Sequence, residues 1–416
     1  MRKGDAEVKN KMSRAEKAAT RRAIRRERRG QNKKSVTNVA DEAKSFGRGL
    51  GRVVTGYDFG VVVFVLLLSL FGIAMVFSAG YYQTINTANP DPTYYLVRQA
   101  IWVASGLFIM LVVANIDYHI YMKFSNLIMI ISLGLLVAVI LTSSTVGGAQ
   151  RGLFGLNITP SEFCKVAVIV FTSCFLVKDP SNIRTAKGLG ILLIVMGLHF
   201  YLIVKQPNLS TAIVLVAIMI SIMLVAGLNI LFMALPLVGA VAGYFYIITA
   251  KVPEHWYNRI SSFMDPFADR QGSGYQVTQG LIALGNGGLK GLGFGRSVAK
   301  TLYLPDPQND FILAVIGEEL GYVGFILLML VYIILICRLF MVALKARDKL
   351  GFYLATGVAV MLGLQVIINV AVVTSSMPAT GITLPFISYG GTSMWSFMIA
   401  IGIALNVSRK QRTAKK

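Results

Sequence analysis

The feature that most limits this chain is the recurrence of apolar runs about as long as a bilayer's hydrocarbon core is thick. A helix needs about 20 apolar residues to cross that core. Runs of this kind fall at 59–79, 97–114, 124–142, 161–177, 188–204, 209–227, 230–250, 311–335, 351–375 and 391–407. Main-chain polar groups in hydrocarbon must be satisfied within the segment, so each run predicts a helix. The expected fold is all-α: a polytopic membrane protein of ten transmembrane helices, with a long outer loop between spans 7 and 8.

Charge supports this reading and orients it. Charged residues make up 14% of the chain, against about a quarter in soluble domains. They are concentrated at the front, where residues 1–56 hold 17 Lys and Arg against 6 Asp and Glu, a net +11 of the total +21. The loops 178–187 and 338–349 and the C-terminal stretch 409–416 are also basic. Placing basic segments inside puts both termini in the cytoplasm, as an even number of spans requires. The expected organisation is a basic, disordered cytoplasmic tail (1–56), a membrane domain (57–408, with the outer loop 251–310) and a basic cytoplasmic C-terminus (409–416). The first apolar run begins too late for a cleaved signal peptide, so the first span is expected to act as an uncleaved anchor. The tail contains no nucleic-acid-binding module, and no nucleic acid is expected as partner. Cys164, Cys174 and Cys337 lie in apolar runs, and His119, His199 and His255 are scattered. Neither set has the spacing of a metal site.

Polar residues at membrane depth are costly, which makes them candidates for function. Asp310 stands where a proline-punctuated approach (Pro305, Pro307) meets the apolar run that starts at Phe311. A carboxylate there is wet enough to ionise and dry enough for its basicity to be tuned; the plainer alternative is a helix N-cap. Glu318 lies two turns further along the same face, about 12 Å away, too far for a carboxylate dyad. It reads as a structural group pairing with another helix. Pro160 opens a helix in which Glu162 and Lys165 share a face. They either close the helix end as an ion pair or free Lys165 to meet a phosphate. Lys205 and Gln206 lie in a tight outer turn, where Lys205 could join Lys165 and Arg151 as an anion clamp. The glycine-rich passage 285–295 follows no expected strand, and suits a hinge or close packing better than a nucleotide. Residues 377–392 contain two prolines and three glycines. Irregular backbone beside a bilayer persists only where it is buried in protein or lines a cavity. Ser388, Tyr389 and Thr392 would supply hydrogen bonds there.

Together these stretches resemble the SEDS family (shape, elongation, division and sporulation), to which FtsW, RodA and SpoVE belong. The resemblance runs from about residue 57 to 408 through GAQR (148–151), PSEFCK (160–165), KQPNLST (205–211), DPFADRQGSGYQ (265–276), LPDPQNDFILAVIGEELG (304–321) and PATGITLPFISYGGTS (378–393). The last two are closer to FtsW than to RodA. The chain departs from the family at Gly152, usually Trp, and in the turn motif at Asn208 and Ser210.

The resemblance implies a peptidoglycan glycosyltransferase of the cytoplasmic membrane. It would join lipid II into glycan strands at the outer face, serving division or elongation. The family's essential aspartate falls on Asp310, with Pro305 as the preceding proline, and the family's PSE-x-x-K lysine falls on Lys165. Expected partners are lipid II, the growing glycan strand, a class B penicillin-binding protein as transpeptidase, and divisome or elongasome proteins. No cofactor is implied beyond a divalent cation, Mg or Mn, that would accompany the diphosphate. The competing classes are a lipid II flippase and a scaffold for a penicillin-binding protein.

Overall fold

The computed structural model describes residues 56–85, 90–142, 159–229, 262–268, 272 and 274–413. Within them, nine of the ten expected spans are helical. The helices are α1 (Phe59–Ile85), α2 (Tyr94–Asn115), α3 (Tyr121–Thr142), α4 (Pro160–Lys178), α5 (Ala186–Lys205), α6 (Leu209–Val225), α7 (Tyr275–Gly287), α8 (Ile312–Leu344), α9 (Lys349–Val373) and α10 (Gly391–Thr413). Of these, α7 is the amphipathic stretch of the long outer loop rather than an expected span. Eight are long and apolar enough to cross a membrane, while α6 is apolar but shorter, at 17 residues. The remaining expected span, 230–250, lies outside the described residues, as do most of the tail, Arg151 and its loop. The total of ten spans is therefore not established, but the chain is an all-α integral membrane protein.

Helix starts follow local chemistry. Pro160 takes the first position of α4, where its missing N–H costs nothing. The side chains of Thr185, Asn208 and Asp348 accept the Gly188, Thr211 and Gly351 amides at 3.2, 3.4 and 2.7 Å, capping α5, α6 and α9.

The bundle is sorted by polarity from inside outward. Helices α4, α9 and α10 are buried over most of their length. They carry buried polar groups such as Lys165, Thr172, Gln365, Asn369, Ser396 and Asn406. Helices α2, α3 and α5 turn Phe108, Ile130, Leu141 and Ile194 outward. Lipid is as apolar as these side chains, so facing it is no penalty, whereas polar groups gain by turning inward.

Helix α8 is broken. At Gly321 the backbone takes φ 67° and ψ −172°, a conformation essentially restricted to glycine. The break exposes amides and carbonyls that hydrocarbon would leave unsatisfied. The glycine-rich passage after α7 pairs with them instead: the Leu292 and Gly293 amides donate to the Glu318 and Glu319 carbonyls at 3.0 and 2.9 Å. In return, the Tyr322 and Val323 amides donate to the Gly288 and Leu289 carbonyls at 2.9 and 3.2 Å. Loop amides that could have cradled a phosphate are thus used on the helix break. A methyl group at Gly321 would collide with the Gly291 amide nitrogen, so the two chains meet only because both residues are glycine.

Gly321→Ala should therefore lower stability by roughly 2–5 kcal/mol, from backbone strain and overpacking together. Gly197→Ala, on α5 with open space around its Cα, should be neutral or gain up to about 1 kcal/mol. Thermal unfolding midpoints in detergent micelles check both.

Candidate functional site

One end of the bundle gathers the candidate residues around the irregular segment between α9 and α10. Three elements hold that segment. Tyr332 of α8 donates its hydroxyl to the Pro385 carbonyl at 2.5 Å. Gln99 of α2 donates to the Ile387 and Ser388 carbonyls at 3.4 and 3.3 Å. On α1, Gly72 lies so close to Phe386 and Ile387 that a side chain would strike their backbone. Phe386 is buried at φ 64°, an unusual conformation for a bulky residue that the packing enforces. The Ser388 hydroxyl accepts the Leu384 amide at 2.8 Å, which folds the segment back on itself.

Asp310 lies beside this segment. The side-chain amide of Asn369 on α9 donates to the Asp310 carbonyl and to the Ile382 carbonyl, both at 2.8 Å. Two residues earlier, the Gln308 carbonyl accepts the Tyr389 amide at 2.9 Å. The Gln308 side chain donates to Gln83 of α1 at 2.9 Å and to Tyr95 of α2 at 3.1 Å. Tyr95 in turn meets the Tyr389 ring edge-on at 5.0 Å. Asp310 is half-buried, and Pro305 is exposed on the approach. The N-cap position of α8 is Phe311, one residue after Asp310.

The start of α4 joins the same end through α10. Thr392 accepts the Thr159 amide at 3.3 Å, and Ser396 donates to the Glu162 carbonyl at 2.7 Å. Lys165 is buried, pairs with Glu162 at 2.7 Å and lies 5.7 Å from the Phe397 ring centroid. The α5–α6 turn abuts this helix end, where Asn208 donates to Ser161 at 3.4 Å. Lys205 is exposed, with its ammonium 5.6 Å from the Tyr201 ring centroid. Gln206 is buried and donates to the Leu136 carbonyl at 3.0 Å, fastening the turn to α3. Arg151 lies outside the described residues.

Sequence reasoning picked out Glu318 as a structural group but missed the rest of the polar cluster at the α8 break. Glu318 and Glu319 are both fully buried. Glu318 accepts hydrogen bonds from Ser297, from the Ala299 amide at 3.1 Å and from Asn286 of α7 at 3.3 Å. Glu319 accepts from Lys300 at 2.8 Å and from Ser78 of α1 at 2.7 Å, and Lys300 also donates to Ser78 at 2.8 Å. Lys300 and Glu319 thus close the chain between them into a loop with Asp310 near its middle. The readable signal was the pair of carboxylates inside an apolar run, which demands a buried cation or donors. Nothing local marks Lys300, a lysine in a loop, as that cation.

Residues 59–413 match the FtsW/RodA/SpoVE family, described as a cell cycle protein. The chain belongs to this family. It is 38% identical over 364 residues to the stage V sporulation protein E of Bacillus subtilis, covering 86% of this chain and 98% of that one. It is 33% identical over 370 residues to a probable peptidoglycan glycosyltransferase FtsW of a Geobacter species, covering 87% and 100%. Among solved structures it resembles the rod shape determining protein RodA of Thermus thermophilus, with TM-score 0.63 and 25% identity, covering 85% of this chain and 97% of that one. It also resembles a chain of a peptidoglycan synthase complex described as coordinating polymerisation and crosslinking, with TM-score 0.67 and 25% identity, covering 85% and 98%. The FtsW/RodA/SpoVE fold therefore extends over the whole described bundle.

Removing one partner of the buried ion pair should be costly. Lys300→Met leaves Glu319 uncompensated and should destabilise the fold by about 3–5 kcal/mol. The double variant Lys300→Met/Glu319→Gln should recover much of that loss. Midpoints of unfolding in detergent, compared across the three proteins, test the coupling.

Proposed function

We propose that this chain is a peptidoglycan glycosyltransferase that polymerises lipid II at the outer face of the cytoplasmic membrane. The observation that carries the reading is the placement of Asp310. It is a half-buried carboxylate at the mouth of a broken helix, tied through its backbone to the irregular 377–390 segment. The family membership and the relatives named as glycosyltransferases support the same chemistry.

In this mechanism the 4-hydroxyl of the acceptor sugar attacks the anomeric carbon of the donor. Asp310 takes the hydroxyl proton as the new carbon–oxygen bond forms. The bond from the anomeric carbon to the lipid diphosphate breaks, and its electron pair leaves with the diphosphate. A diphosphate departs without protonation, so one carboxylate suffices where glycoside hydrolysis needs two. General-base assistance of this kind contributes about 10²–10⁴-fold. The developing charge on the diphosphate requires cationic stabilisation. Lys165 is the buried candidate and Lys205 an exposed one, with Arg151 a third from the sequence alone. A divalent cation, Mg or Mn, would enter as the diphosphate's counter-ion. Ser388, Tyr389 and Thr392 supply hydroxyl and backbone groups to the sugar-facing side, and Gln206, Glu162, Glu318 and Pro305 support the frame.

The orientation follows from the basic loops: both termini lie in the cytoplasm, on either side of a membrane domain spanning 57–408, and the Asp310 end faces outward. A transpeptidase must then act on the same strands. The similarity to a chain of a synthase complex supports a class B penicillin-binding protein as partner, within the machinery of division or elongation.

Asp310→Asn should fold normally and lose polymerisation by about 10²–10⁴-fold, read as glycan products from purified protein and lipid II in detergent. An undiminished rate would refute the assignment. Transport of lipid II across liposome membranes with no glycan product would favour a flippase instead.

A further inference from the structure

Asn369 stands between the two segments on which the proposed reaction depends. It is buried on α9, itself one of the three central helices. Its side-chain nitrogen carries two hydrogens and meets two acceptors, the carbonyls of Asp310 and Ile382, each at 2.8 Å. Both partners are carbonyl oxygens, so the amide has only one workable orientation: nitrogen toward them, oxygen away. That oxygen is buried without a hydrogen-bond partner. An apolar residue would pack in α9 without that penalty, so the two donated bonds are what the amide supplies.

We infer that Asn369 is a positioning residue for Asp310. It fixes the carbonyl of Asp310, and with it the peptide plane from which the carboxylate projects, relative to the 377–390 segment. This deepens the glycosyltransferase reading and rests on it. The physical case is that α9 is a rigid post while both bonded segments are irregular. Asp310 and Ile382 are otherwise 72 residues apart in the chain, and one side chain spans them. Gln365, one helical turn earlier, provides the contrast. It is equally buried on the same helix, yet neither of its amide atoms has a partner.

The test measures kcat and KM for lipid II polymerisation by the full chain purified in detergent. Asn369→Ala should lower kcat by about 10²-fold, the scale expected when a reacting group is displaced by about an ångström. KM for lipid II should stay within about threefold, because substrate binding is not what is lost. Asn369→Ser keeps one donor and should recover part of kcat. Gln365→Ala should keep kcat within about threefold of the parent. The inference is overturned if Asn369→Ala keeps kcat, if its loss falls on KM, or if Gln365→Ala loses as much. Where Asn369→Ala does not yield folded protein, Asn369→Ser against Gln365→Ser decides by the same split. Asp310→Asn is run alongside. If it retains the full rate, the glycosyltransferase reading itself fails. If it is inactive while Asn369→Ala turns over like the parent, only the role of Asn369 fails.

Discussion

A main chain in hydrocarbon has no water to fall back on, and this one constraint organises the molecule. Straight helices satisfy it by themselves. Among the described residues, the break at Gly321 and the irregular segment after α9 satisfy it by borrowing partners. At Gly321 the loan comes from the glycine-rich passage, whose amides and carbonyls exchange four bonds with residues 318–323. After α9 it comes from Gln99, Tyr332 and Asn369, which donate to buried carbonyls of the segment. Each irregular segment is therefore defined by the side chains and loops that complete it.

The same logic governs charge. Two carboxylates at adjacent positions in an apolar helix would be untenable alone. Glu319 is neutralised by Lys300, while Glu318 is held by a serine, a main-chain amide and an asparagine. The cluster ties α1, α7, α8 and the 297–300 turn together. Gln83, Tyr95 and Gln308 form a second set of bonds two residues before Asp310, and Asn369 holds the Asp310 carbonyl. In the proposed reaction this means that the base is positioned through its backbone by Asn369, on a segment that Gln308 anchors two residues earlier.

Much of this was legible in the sequence, and the remainder fails for identifiable reasons. Apolar length alone located nine helices, because a membrane helix needs no periodicity to be recognised. Ends were less accurate: the run expected to stop at 335 continues as helix to Leu344. The prolines and glycines of 377–390 announced irregular backbone, and Asp310 stood out as a carboxylate at a boundary. Contacts between distant segments left no local trace. Nothing local singles out Gly321, Lys300 or Asn369. Gly321 meets Gly291, Lys300 pairs with Glu319 and Asn369 holds Asp310, each a partner distant in the sequence.

The central claim is that a single carboxylate, Asp310, removes the proton in the bond-forming step. Its most direct test is the pH dependence of single-turnover glycan formation by the purified protein. The account predicts a rate that is flat at high pH and falls with unit slope as one carboxyl group protonates, and a residual rate in Asp310→Asn that lacks this limb. A parent rate insensitive to acid, or the same limb persisting in Asp310→Asn, would contradict it.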